Sequence, residues 1–358
     1  MACLNLRDRD AIVTDEGLIF RVLGYSHPPD YYFCDLEYAP ERIFNSGNPK
    51  ALRNSSGQNW YKFYEDEAWR FLKHEFSQYV IFNDVLQNQI VGVKTRDIAE
   101  VRKPEQKLRA LAARISQDDL LKATQDLIHI LQEHVKLDHA TLGVFGSMLH
   151  DFYHPKYSDI DLIVYGRENN HRVSTILEEL YESSSSRFSN EFGASVSACP
   201  KPWHFQNMTY KEYLWHQRRK MMYAIFDDVR SGRKIKTEFE PVKDWNEIIN
   251  DYDQNVRIKK IGWAKILAKV TSDIEAPFIP SIYDIEANKI IEGPKEAMEV
   301  TRIVSYIEEF RKQVKVDETV CVEGTLEEVT SGQRSFHQIA LTFCPRYYEQ
   351  TLKTVEKN

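Results

Sequence analysis

The sequence has few cysteines, and none of them stand at a metal-binding or redox spacing. The five, Cys3, Cys34, Cys199, Cys321 and Cys344, are scattered along 358 residues. An odd, scattered set excludes a disulfide framework and a four-thiolate zinc site, and it fits reduced thiols. Long apolar runs are also missing: nothing approaches the roughly 20 residues that span a bilayer. The opening Leu4-Asn5-Leu6-Arg7-Asp8 is charged at once, unlike a secretory leader. A soluble, cytoplasmic protein is expected. Positive charge is not in excess, since the net charge is −7. That argues against coating of the whole surface by nucleic acid and leaves room for a local basic groove. There is no internal repeat and no heptad pattern.

What is present is ample core material, with 42% hydrophobic and 12% aromatic residues. The chain is too long for one ordinary core, so several domains are expected. The most informative stretch runs from Gly143 to Gly166. An apolar run, Leu142 to Phe145, breaks at Gly146-Ser147; a short amphipathic segment follows, and a second apolar run carries Asp159 and Asp161 into Leu162-Ile163-Val164. In a strand, residues i and i+2 leave the same face roughly 6.5–7 Å apart. Two neighbouring carboxylates repel and are costly to bury unless a cation lies between them. Hard oxygen ligands suit Mg²⁺, which takes one or two carboxylates plus substrate phosphates. A glycine at the preceding turn lets backbone approach a ligand closely, and the Ser147 hydroxyl with nearby N–H groups makes a phosphate cradle.

Gly146-Ser147, a short helix, and Ser158-Asp159-Ile160-Asp161-Leu162 at the head of a strand resemble the signature of the DNA polymerase beta-like nucleotidyltransferase superfamily. The resemblance covers about residues 108–229. The layout is also similar to a group of uncharacterised archaeal stand-alone nucleotidyltransferase-like proteins with β-rich flanks. It implies transfer of a nucleoside monophosphate from an NTP to an acceptor hydroxyl, RNA being one acceptor, with Mg²⁺ or Mn²⁺ held by Asp159, Asp161 and a third carboxylate on a later strand. Asp227 in Tyr223-Ala224-Ile225-Phe226-Asp227-Asp228 is the candidate, because Tyr223 and Ile225 then share its face while Ala224 and Phe226 pack opposite. Asp228 is the alternative, and strand register decides between them. Gly146 and Ser147 would hold the β- and γ-phosphates. Arg218, Arg219 and Lys220 would neutralise phosphate charge, or else serve as a solvated helix end. His150 and His154 stand four apart, but Pro155 ends the helix there and favours a role at the lip of the pocket or on the surface over a metal pair. The rival function is a nucleotide-sensing or nucleic-acid-binding protein whose transferase site is idle, motivated by the size of the flanks.

The resulting expectation is an α+β chain. Residues 1–103 form an N-terminal β-rich module with one helix, 104–236 the catalytic domain, 237–345 an antiparallel β-rich module for which an OB-like barrel is one solution, and 346–358 a helical or disordered tail. Within the first module, Ala11–Thr14 and Leu18–Leu23 predict a hairpin around Asp15-Glu16-Gly17, 45–59 a polar loop, and 66–76 a helix. Ser116-Gln117-Asp118-Asp119 predicts a helix start.

Overall fold

The computed structural model describes residues 5–55, 57–64, 66–114, 118–193, 203–332 and 334–355. Cys3, Cys199, Ser116 and Gln117 lie outside the described residues. The chain divides into two compact units. One holds Met1–Asn83, Asn88–Ser189 and Ala224–Tyr252, and the other holds Asp84–Gln87, Asn190–Tyr223 and Asp253–Asn358.

The first unit begins with β1 (Ala11–Val13), β2 (Ile19–Val22), β3 (Tyr31–Pro40), β4 (Leu52–Ser55) and β5 (Gln58–Lys62), then α1 (Glu67–Glu75), β6 (Val80–Asn83), β7 (Asn88–Lys94) and β8 (Glu100–Arg102). They make one sheet in the order β4-β5-β3-β2-β1-β8, with β7 also on β3 and β6 on β7. The first hairpin turns at Gly17, whose φ of +90° suits a residue without Cβ. Phe71 and Leu72 of α1 close a core with Phe20, Leu36, Phe63 and Tyr79. The stretch 45–59 is not only a loop: Leu52 to Ser55 pairs with Gln58 to Tyr61. Its polar side chains conceal a hairpin whose pairing comes from the backbone.

Next come α2 (Pro104–Ala112), α3 (Asp119–Val135), β9 (Leu142–Val144), α4 (Gly146–Leu149), β10 (Ile160–Tyr165), α5 (Arg167–Glu182), β11 (Phe188–Asn190), α6 (Tyr210–Arg218), β12 (Tyr223–Asp228) and β13 (Arg233–Val242). Asp118 caps α3 by accepting from the Leu121 N–H at 3.1 Å. A mixed sheet runs β11-β12-β13-β10-β9, with β9 antiparallel and β13 parallel to β10. One face packs α3 and α5 through Leu127, Leu131, Val173 and Leu177 against Ile160, Leu162, Val164, Phe226 and Phe239. Every second residue of β10 is committed to that core, so Asp161 leaves the other face.

The second unit contains β14 (Arg257–Glu275), β15 (Ser281–Glu292), β16 (Val300–Ser305), β17 (Thr319–Ser331), β18 (Arg334–Leu341) and β19 (Thr351–Thr354). β14 pairs with both β15 and β17, β15 with β16, β16 with β18 in parallel, and β18 with β17. Five strands therefore close into a small barrel around Ile266, Tyr283, Ile303, Val322 and Ile339. The closure uses one parallel pair, so the module is not purely antiparallel. In the tail, Tyr347–Glu349 is a single 3-10 turn, and β19 then pairs with Val320 to Glu323. Residues 190–223, which the sequence places within the catalytic stretch, belong to this unit because Phe205 and Met208 enter its core, with Trp203 and Tyr213 packed against it.

Candidate active site

The Gly146 turn and the Asp161 carboxylate are built against each other. The Phe145 N–H donates to the Asp161 carbonyl at 2.9 Å, and Val144 lies opposite Leu162 in the ladder. Gly146 has φ +58°, and a Cβ built there would meet Asp161 Oδ2 at 2.2 Å. No side chain fits between the turn and the carboxylate, so backbone is brought as close to that oxygen as chemistry allows. Asp159 is exposed one residue before β10, while Asp161 is half-buried. The loop between α4 and β10 is held by Arg233, whose guanidinium donates to the carbonyls of Pro155 (2.7 Å) and Ser158 (3.1 Å).

β13 brings two further carboxylates to this face. Glu238 lies directly opposite Asp161 in the parallel register, and Glu240 lies opposite Ile163. Glu240 is buried and accepts from Arg9 Nη2 at 2.9 Å. Arg9 is buried too, has φ +71°, and holds its guanidinium 5.1 Å from the Phe145 ring centroid. Burial, then the charges of Asp159 and Glu240, push the Asp161 carboxyl up to about 7, and Lys62 and Arg9 oppose that rise. So much like charge around a partly desolvated acid is the electrostatic condition that a bound cation relieves.

Asp227 also emerges on the Asp161 side, because Ala224 and Phe226 enter the core. It sits on β12, however, with β13 between it and β10, a displacement of two strand spacings, about 10 Å. Asp228 faces the other way, is buried, and accepts from the Ser231 N–H (3.2 Å) and hydroxyl (2.5 Å) beside Arg187. It closes the β12–β13 turn. Arg218, Arg219 and Lys220 lie in the second unit and are engaged there. Arg218 donates to the Phe192 carbonyl at 2.8 Å, Arg219 pairs with Glu318, and buried Lys220 donates to the Glu309 carbonyl at 2.6 Å. His150 is buried and His154 exposed. The His154 ring accepts from the Lys156 N–H at 3.1 Å, a turn contact.

Sequence reasoning missed Glu238 and Glu240. Their alternation in Thr237-Glu238-Phe239-Glu240 was a signal, but only strand order places them beside Asp161. Among the described residues no group of three His, Cys, Asp or Glu side chains is arranged as a ready-made metal cage. The donor set instead fits an ion held by two hard carboxylates and completed by substrate phosphates, which is the habit of Mg²⁺.

Residues 125–217, which carry this turn and carboxylate pair, match the family described as "Nucleotidyltransferase domain". The match includes Gly146, Ser147, Asp159 and Asp161 and stops short of both Asp227 and Glu238. Over most of its length the chain is similar to "Uncharacterized protein MJ1086" of Methanocaldococcus jannaschii, at 26% identity over 336 residues, covering 92% of this chain and 94% of that protein. No solved structure matches. No helix among the described residues is long and apolar enough to cross a membrane.

Proposed function

We propose that the chain is a metal-dependent nucleotidyltransferase that moves a nucleoside monophosphate from an NTP to an acceptor hydroxyl, with RNA as the acceptor to test first. The observation that carries it is the Gly146 turn pressed against Asp161, with Asp159 beside it. The close approach of that turn to Asp161 supports a cradle of backbone donors beside metal-type carboxylates. Asp159 and Asp161 would hold Mg²⁺ or Mn²⁺, which supplies charge neutralisation and polarises the phosphoryl oxygens. Gly146 and Ser147 would receive the β- and γ-phosphates. The acceptor oxygen bonds to the α-phosphorus while the bond from that phosphorus to the pyrophosphate oxygen breaks, and the hydroxyl proton passes to a site carboxylate. Positioning and electrostatic stabilisation supply most of the acceleration.

The third carboxylate is Glu238 in this reading, because it shares the register of Asp161 on the adjacent strand; Asp227 is the rival. Phosphate neutralisation by Arg218, Arg219 and Lys220 would require them to leave their present partners, and the reading does not depend on them. Pyrophosphate release from each of the four NTPs, with Mg²⁺ and with or without cellular RNA, tests the proposal. Release should fall about a hundredfold or more in Asp161→Asn. Wild-type turnover by that variant would sink it, and NTP binding without any release would favour the idle sensor.

A further inference from the structure

The N-terminal sheet reaches the carboxylate site with one side of β5. In the antiparallel β3–β5 pair, Tyr38 lies opposite Lys62 and Pro40 opposite Trp60. Directly opposed residues project to the same side, and Trp60 and Lys62 are two apart on one strand. Tyr61 and Phe63 take the other side, where Phe63 stacks on Phe44 at 4.0 Å in the module's own core. The Trp60–Lys62 side is laid on the segment that follows the Gly146 turn. The Tyr38 ring packs edge-on against His150 (5.3 Å) and Phe152 (5.1 Å), and the Trp60 ring lies 5.4 Å from Phe152. Phe152 is tied to the cradle, since its N–H donates to the Ser147 carbonyl at 2.8 Å.

Lys62 is close enough to act electrostatically on Asp161. Its ammonium makes no hydrogen bond or ion pair among the described residues and lies over the Tyr64 ring only at 5.9 Å from the centroid. Arg9, the other cation acting on Asp161, already holds Glu240. Among the described residues Lys62 is thus a positive charge near Asp161 with no hydrogen-bonded partner, on a flexible stem and half-exposed. A nucleoside triphosphate adds three or four negative charges there, and a mobile ammonium is the side chain that follows phosphates as a point charge.

We propose that Lys62 of the N-terminal sheet is the phosphate-binding cation of this site, with the neighbouring Trp60 ring forming the wall on which the nucleotide lies. The module is then part of the nucleotide site, not an appendage to it. The inference rests on the nucleotidyl-transfer reading of Asp159 and Asp161, and two kinds of measurement separate their failures. Equilibrium binding of a fluorescent ATP analogue with Mg²⁺, to the full chain, should weaken tenfold or more in Lys62→Gln. Lys62→Arg should restore most of the affinity. Trp60→Ala should weaken binding severalfold, and circular dichroism and thermal unfolding should match wild type in all three. Where pyrophosphate release is measurable, the KM for NTP should rise more than kcat falls. Wild-type affinity in Lys62→Gln overturns the assignment even if Asp161→Asn is inactive. Full turnover in Asp161→Asn overturns the transferase reading instead, and absence of nucleotide binding by the wild-type chain overturns both.

Discussion

At the scale of residues, Gly146 and Asp161 constrain each other: at φ +58° a Cβ would be strained and would meet the Asp161 carboxylate oxygen at 2.2 Å, displacing that carboxylate. Both were legible, because a glycine at a strand break and two aspartates at strand spacing need only local geometry. Glu238, which we propose as the third carboxylate in place of Asp227, was not legible. Asp227 follows an apolar strand and reads well, whereas Glu238 sits in a charged run, Lys236-Thr237-Glu238-Phe239-Glu240, whose alternation signals a strand but not the strand it lies beside. Register places Glu238 opposite Asp161. Glu238→Gln is expected to cut pyrophosphate release about a hundredfold, and Asp227→Asn less than about tenfold. The reverse order in the same assay would return the role to Asp227.

At the scale of elements, the strands that alternate cleanly were found and those that do not were missed. β4 and β5 hide in polar sequence, and β19 lies in a tail with no apolar run of its own. Both exist because a neighbouring strand offers an edge to pair with. Closure of the barrel demands close approach, and Gly324 in β17 shows where. A Cβ at Gly324 would meet Leu341 Cδ2 at 2.6 Å and the Ala340 carbonyl oxygen at 2.8 Å. The second contact is to backbone and cannot be relieved by a rotamer change. Gly324→Ala should therefore destabilise the barrel by about 1–3 kcal/mol, seen as a lower urea midpoint. An unchanged midpoint would show that β17 and β18 are less tightly apposed than described.

At the scale of the whole molecule, both units bury neutral histidines, His27 and His150 in the first and His216 in the second. His27 accepts from the Phe33 N–H at 3.2 Å, and burial pulls its pKa from 6.5 down to about 4. His216 lies 2.8 Å from the Gln313 carbonyl, to which its Nδ1–H donates, and burial lowers it likewise to about 4. Both bind a proton more readily unfolded than folded. Their contribution is complete above pH 6.5 and is lost as pH falls toward 4, on the order of 2–3 kcal/mol each by pH 4.5. Urea unfolding at pH 7 and pH 4.5 should show this loss, and His27→Asn should reduce it for the first unit. A loss of the same size in that variant would assign the acid sensitivity to other groups.

The sequence by itself determined the class of protein: an α+β chain with a nucleotidyltransferase domain, a glycine turn and a carboxylate pair, because each of these is written in spacings of a few residues. Tertiary structure alone decided which strand lies beside Asp161, that residues 190–223 join the barrel unit, and that β5 faces the cradle. Those outcomes depend on strand order and on which apolar faces find one another across long stretches of chain. Local periodicity specifies which residues share a face, but it does not say what that face will meet.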